Sequence, residues 1–389
     1  MKLNVSLLIA FFTVCMVKAQ SITLSEQAEI SVLTFGPGTS LNDAFGHNAF
    51  RIKDRTNRID FVYGYGQYDF DAPNFYLKFA RGKLNYLISK HKYPNIYYHY
   101  SSYDRTIEEQ VLNLSVTEKQ KLFNYLEHNY RPENRGYLYD FFFDNCATRI
   151  RDVVQINSDN KVNYNFDNST QGKTFRDLIY EHVDKNTWGS FGIDIALGSV
   201  IDKEATLYEY MFLPKYISSS FENADFNNSE KLVKSSAILY QSRSTDKSPN
   251  FLFSPILILG LFSVLIIYIT YRDFKKKQRS KWLDIIIFSL TGLVGLVLVL
   301  LWFATDHTAT AYNYNLLWAF PFNLILLTQV FKPKAKKWVK PYLKFLIIML
   351  CLMTMHWILG VQVFAITLIP VLLALVVRYV YLISTFEKS

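Results

Sequence analysis

The sequence predicts an α+β extracytoplasmic domain followed by a bundle of about five membrane-spanning helices. Three observations predict it. The chain opens on an apolar run ending in small residues, mixed strand-like and helix-like patterns fill the next two hundred or so positions, and long apolar stretches recur after Phe251. With 389 residues, 50 % of them hydrophobic, the chain is more apolar than a wholly soluble one, and the excess is concentrated at one end.

Each element follows in turn. Lys2, the apolar "LNVSLLIAFFTVCM" and the small residues of "VKA" before Gln20 read as a signal peptide over residues 1–19, so the domain after it is exported. Cys15 falls inside that segment. Two cysteines remain, Cys146 and Cys351, and the second lies in a lipid-soluble run, too far away in depth to bridge the first. A lone thiol in an exported domain is either inert core or a reactive group.

The exported domain spans residues 20–221. "AEISVLTF" and "HNAFRI" read as strands, "KDRTNR" as a turn and "IDFVYGYG" as the returning strand. "NLSVTEKQKLFNYLEHNY" reads as a helix capped by Ser115 or Thr117, and a second helix starts at or near Cys146, capped by Asp144 or Asn145. Residues 222–250 are polar with a short apolar patch and read as a linker.

Residues 251–383 form the transmembrane domain. "FLFSPILILGLFSVLIIYITY", "LDIIIFSLTGLVGLVLVLLWF", a shorter run over 316–331 and the stretch 342–382 give the five spans. "RDFKKKQRSK" carries six Lys or Arg and "KPKAKKWVKP" five, whereas the intervening "ATDHTATAYNYN" carries none. By the positive-inside rule the basic loops are cytoplasmic and the domain lies in the periplasm, on the outside of the inner membrane. Eleven of the 42 basic residues sit in those two loops, so the net charge of +9 reads as membrane topology and argues against a nucleic-acid partner.

Chemistry centres on Cys146. A helix N-terminus stabilises a thiolate, and its free N–H groups can receive an oxyanion. A thiol nucleophile also needs a base. Among His47, His91, His99, His128 and His182, His47 is best placed, after a glycine at the start of a strand. The plain alternative is a buried Cys146 beside a satisfied strand histidine. Asn145 either caps the helix or supports an oxyanion, and Arg149 either meets a phosphate or pairs with an Asp of the domain. On the outer membrane loop, Asp306, His307, Asn313 and Asn315 form a second constellation with His356 at the neighbouring outside turn. No ligand spacing specifies a metal, and no cofactor is expected.

A strand His followed by an Asn-Cys helix start is similar to the circularly permuted papain-like folds of the NlpC/P60 and lecithin:retinol acyltransferase group. More closely, "FGHNAFRI", "YGYGQYDF", "NFYLKFARGKLNYLI", "DNCATRIRD", "WGSFGIDIALGSVIDK" and "TDHTATAYNYNLLWAFPFN" resemble the Lnb-type lipoprotein N-acyltransferase family. The resemblance implies a relay in which Cys146 takes an acyl chain from a phospholipid as a thioester. The chain then passes to the α-amino group of the lipidated N-terminal cysteine of an apolipoprotein. His47 would be the base and Asp60 its orienting partner, unless a turn one residue longer aims Tyr63 or Tyr65 at His47 instead. A membrane-anchored cysteine peptidase or peptidoglycan amidase, and a non-catalytic assembly component, are the competing classes.

Overall fold

A computed structural model describes residues 22–159, 161–227, 229–244, 250–332 and 336–387. The expected signal peptide lies outside the described residues. Alternating runs become β1 (Glu29–Phe35), β2 (His47–Asp54) and β3 (Ile59–Tyr68), consecutive antiparallel neighbours. They are joined by β4 (Asn85–Lys92), β5 (Ile107–Leu112), β6 (Gly136–Leu138) and, after a small two-stranded sheet of β7 (Val162–Asn163) and β8 (Asp225–Phe226), by β9 (Val233–Tyr240). The large sheet is antiparallel throughout, in the order β6-β4-β3-β2-β1-β5-β9.

The expected linker is therefore only partly a linker. "VKSSAILY" forms the edge strand β9, and both of its faces are mostly exposed, which leaves it with no apolar alternation to betray a strand.

The domain's helices are α1 (Phe75–Ala80), α2 (Tyr93–Ser102), α3 (Val116–Tyr130), α4 (Cys146–Asn157), α5 (Phe175–Tyr180), α6 (Trp188–Ala196) and α7 (Pro214–Asn223). Ile30, Val32, Phe50 and Ile52 bury one face of the sheet under α3, α4 and α7. Leu33, Phe35, Ala49 and Val62 bury the other against Tyr97 and Tyr100 of α2. Burial on both faces explains the near-continuous apolar run of β1. Ser115 caps α3 in a reciprocal box with Glu118, as one of the two expected caps.

The second half contains α8 (Pro255–Lys276), α9 (Lys281–Phe303), α10 (Asn323–Val330), α11 (Val339–Ile358) and α12 (Ile369–Glu387). Among the described residues four helices are long and apolar enough to cross a membrane. The expected third span is not a continuous helix. Residues 304–322 follow an irregular path with a short 3-10 turn at Tyr314–Leu317, and only eight residues of α-helix follow, because Pro321 cannot continue a helical ladder.

That irregular segment packs against glycines of α9, where a Cβ on Gly295 would lie 2.1 Å from the Ala319 carbonyl. Its polar groups are satisfied from within: Gln362 accepts from the Tyr314 amide at 2.8 Å, and Asn323 donates to Thr291 at 2.8 Å. Non-helical backbone in such a bundle is tolerated only with this internal compensation. At the far end Arg378, fully buried, pairs with Asp273 at 2.8 Å and Asp284 at 2.7 Å and ties α8, α9 and α12 together.

The periplasmic-type domain caps one end of the bundle. Asn313 donates to the carbonyls of Ile195 and Ala196 at 2.8 and 3.0 Å, Asn315 donates to that of Asp194 at 2.8 Å, and the Gly198 amide donates to Ala309 at 2.9 Å. The described parts of the two basic loops lie together at the opposite end, where Arg279 donates to the Val330 carbonyl, as the charge asymmetry requires.

Candidate active site

The domain and the outer loop of the bundle enclose a cavity of about 620 Å³. Its size falls in the range of small-molecule sites. Cys146, His47 and Tyr65 line it from the domain, and Asp306, His307 and Thr308 from the loop. Much of the remaining wall is apolar, including Phe45, Phe79, Phe141, Ile193 and Leu213. Phe142 packs in the core and Phe141 against it, and both also line the cavity.

Cys146 is the first residue of α4. Asn145 caps the helix: its Oδ1 accepts from the amides of Ala147 at 2.8 Å and Thr148 at 2.9 Å, and its amide group donates to the carbonyls of Phe141 and Phe212. With both ends engaged, Asn145 is a cap and has no donor left for a substrate. The backbone amides of Asn48, Ala147 and Cys146 itself converge on the sulfur and favour its charged form, as does the nearby Arg105 cation. Enclosure by protein outweighs them and pushes the thiol up.

His47 starts β2, immediately before the Asn48 amide that points at the sulfur. Gly46 delivers it there: at φ +80° a side chain is disfavoured, and a Cβ would come within 2.6 Å of the Phe35 carbonyl. The ring stacks on Phe35 with centroids 6.1 Å apart. Enclosure and the Arg105 charge lower His47 to about 4, against a smaller opposing effect of Asp43. At neutral pH the site thus holds a neutral thiol beside a neutral imidazole.

That depression makes stability depend on pH. The folded value of about 4 lies below the unfolded 6.5, so between the two the unfolded chain takes up a proton that the folded chain refuses. Stability should fall as the pH drops through that window, by roughly 3 kcal/mol in all. Melting of the full-length protein in detergent at pH 7 and pH 4.5 should show a larger acid loss for wild type than for His47→Gln; equal losses would contradict this assignment.

The third member expected beside His47 is corrected. Asp60 stands opposite Lys53 in the β2–β3 register, and both its oxygens accept from Arg51 at 2.8 Å. The residue of β3 facing the imidazole is Gly64, where a Cβ would meet His47 Nε2 at 3.3 Å. Tyr63 is turned away to Glu127. Tyr65 lines the cavity, and its buried hydroxyl has no hydrogen-bond partner among the described residues.

Four other expected site residues are used elsewhere. Arg149 pairs with Asp144 through two contacts and stacks over Tyr137 at 4.3 Å, so its charge is taken. Asn313 and Asn315 are the clamps that hold the loop to α6, described above. His356 bonds the Leu352 carbonyl at 2.8 Å and packs at a tilt against the Tyr314 ring, outside the cavity wall. Asp306, which does reach the wall, forms an exposed pair with Lys83 at 3.4 Å.

Sequence reasoning missed the Asp43–Arg105 pair, whose 3.3 Å contact sets two charges beside His47. The proximity of Asp43 to His47 in "NDAFGHN" was a signal; nothing in the spacing of Arg105 was. Among the described residues no group of three His, Cys, Asp or Glu side chains could hold a metal.

Sequence profiles of two domains match the chain. Residues 18–180 match the Lnb N-terminal periplasmic domain and residues 246–389 the Lnb transmembrane domain, together more than three quarters of the length. No curated protein and no solved structure matches. Two matches from one family, in chain order and on the two halves that share the cavity, carry the conclusion: the chain belongs to the Lnb family, a membrane protein with a periplasmic domain.

Proposed function

We propose that the protein is a cysteine-dependent lipoprotein N-acyltransferase of the inner membrane, with a permuted papain-like periplasmic domain. The observation that carries this reading is the shared cavity: the Cys146 thiol and His47 face a largely apolar space that is closed on one side by a loop between membrane helices. A hydrolase acting on peptide or peptidoglycan has no need of that wall. The chain order, His strand before Cys helix, also agrees with the permuted papain-like arrangement.

In the first half-reaction Cys146 Sγ attacks a phospholipid ester carbonyl. The S–C bond forms, the C–O bond breaks, and the thiol proton passes through His47 to the leaving oxygen, releasing a lyso-phospholipid. Because thiol and imidazole are both neutral at rest, proton transfer accompanies attack. The amides around the sulfur supply favourable dipoles as charge develops. In the second half-reaction the α-amino group of an apolipoprotein's lipidated cysteine attacks the thioester: the N–C bond forms, the S–C bond breaks, and His47 takes a proton from the amine and gives it to the departing sulfur. His307 is a polar side chain of the wall that can meet donor or acceptor. The pair of His47 and Cys146 works as a dyad, with Gly64 where a third member would sit.

The test is mass spectrometry of lipoprotein N-termini from cells lacking the protein. The N-acyl chain should vanish and return with the wild-type gene. Normal N-acylation in those cells, together with cleavage of muropeptides by the purified protein, would replace the proposal with the amidase reading.

A further inference from the structure

The helix α1 buries none of its residues in the protein. Tyr76 is 83 % exposed, and Phe70, Leu77 and Phe79 are exposed beside it. Four such side chains in one short segment make a patch that a soluble surface rarely carries. Residues 74–83, "NFYLKFARGK", include Lys78, Arg81 and Lys83 and no acidic residue, while Asp69 and Asp71 flank Phe70 just before them. Aromatic and basic side chains without carboxylates are the composition of a segment lying in a lipid headgroup zone.

Its position says which surface covers it. The Arg81 carbonyl accepts from the Asp306 amide at 2.9 Å, and Asp306 follows the end of α9 by three residues. Gly82, at φ +68°, lets the two backbones approach so closely that a Cβ would lie 3.1 Å from the His307 nitrogen. The patch is therefore level with the end of a span whose last residue, Phe303, is 71 % exposed. Exposed Phe251, Leu252 and Phe253 mark the same level at the start of α8. Phe79, Gly82 and Leu84 meanwhile line the cavity that holds Cys146. One short segment faces outward with one side and the thiol chamber with the other.

We infer that α1 lies in the outer leaflet of the membrane that the bundle crosses, and is the side door by which an acyl chain passes from that leaflet to Cys146. The placement in lipid follows from the exposed belt alone; the role as a door rests on the acyl-transfer reading above.

The placement is tested on the full-length protein in phosphatidylethanolamine–phosphatidylglycerol nanodiscs, with Cys146→Ser and Cys351→Ser removing the native thiols. Nitroxide labels are placed by Tyr76→Cys and, as a solvent reference, by His128→Cys. The label at 76 should collide freely with oxygen and poorly with a water-soluble nickel chelate, and the label at 128 the reverse. Nickel access at 76 equal to that at 128 would overturn the placement.

The door is tested by Tyr76→Ser with Leu77→Ser in the otherwise native chain. Acylation of Cys146 from bilayer phospholipid should fall by about tenfold, in line with the loss of apolar anchoring. Acylation by a short water-soluble nitrophenyl ester should be unchanged. Equal falls with both donors, or no fall with either, would overturn the door. If neither donor acylates wild type, the acyl-transfer reading fails together with the door, and the label depths still decide the placement.

Discussion

Cys146→Ala is expected to abolish acyl-thioester formation, and His47→Gln to slow it by roughly 10²–10⁴-fold. The two residues differ in what they supply. Without the sulfur there is no nucleophile, whereas without the imidazole the thiol remains but its proton has nowhere to go. Because enclosure pushes the thiol up, little thiolate forms unaided near neutral pH, so the loss with His47→Gln should shrink as the pH is raised toward the thiol's own range. Rates of hydroxylamine-labile acyl incorporation at pH 7 and pH 9.5 check this. A His47→Gln variant with wild-type rates at pH 7 would remove His47 from the chemistry.

The second large effect is expected far from the thiol. Gly198→Ala would place a Cβ 1.8 Å from the Ala311 carbonyl oxygen, an overlap that backbone must relieve by moving apart. Several hydrogen bonds near it join the two halves: Gly198 to Ala309, Ser199 to Tyr312 at 3.1 Å, and the Asn313 and Asn315 side chains to carbonyls of α6. Separating them leaves several buried polar groups unpaired, at about 1–3 kcal/mol each. The loop carrying Asp306 to Thr310 would then leave the cavity wall. Acylation from bilayer phospholipid should fall close to the level of Cys146→Ala, while Cys146 still reacts with a small maleimide because α4 and its cap lie within the domain. Unchanged acylation would show that the loop wall is dispensable.

What the sequence made legible was local. The hairpin of β2 and β3, the Ser115 box and the Asn145 cap on a helix starting at Cys146 each follow from a few adjacent residues. Relations across the sheet were harder. The partner of His47 depends on register, and the register puts Asp60 at the far end of the hairpin with Arg51 and sets Gly64 against the ring. A bulge between Gly64 and Gln67 shifts β3 beside the cavity, which no alternation pattern reveals.

The bundle gave a similar lesson. Hydropathy marks long helices, but the run around 316–331 is apolar and still breaks at Pro321, and the two asparagines just before it, Asn313 and Asn315, serve backbone carbonyls of the other half. Asn313 and Asn315 read as part of a second constellation because polar residues at a membrane boundary invite a functional reading. Their partners are visible only once α6 is placed beside them.

The central claim is that Cys146 carries an acyl group drawn from membrane lipid. Intact-protein mass spectrometry of the full-length protein, purified in detergent and incubated with a phospholipid of defined chain length, measures it. The expected result is one added acyl mass on wild type, removed by neutral hydroxylamine, mapped to the peptide containing Cys146 and absent from Cys146→Ala. An acyl mass retained on Cys146→Ala, or none on wild type under conditions where the purified protein N-acylates an acceptor, would contradict it.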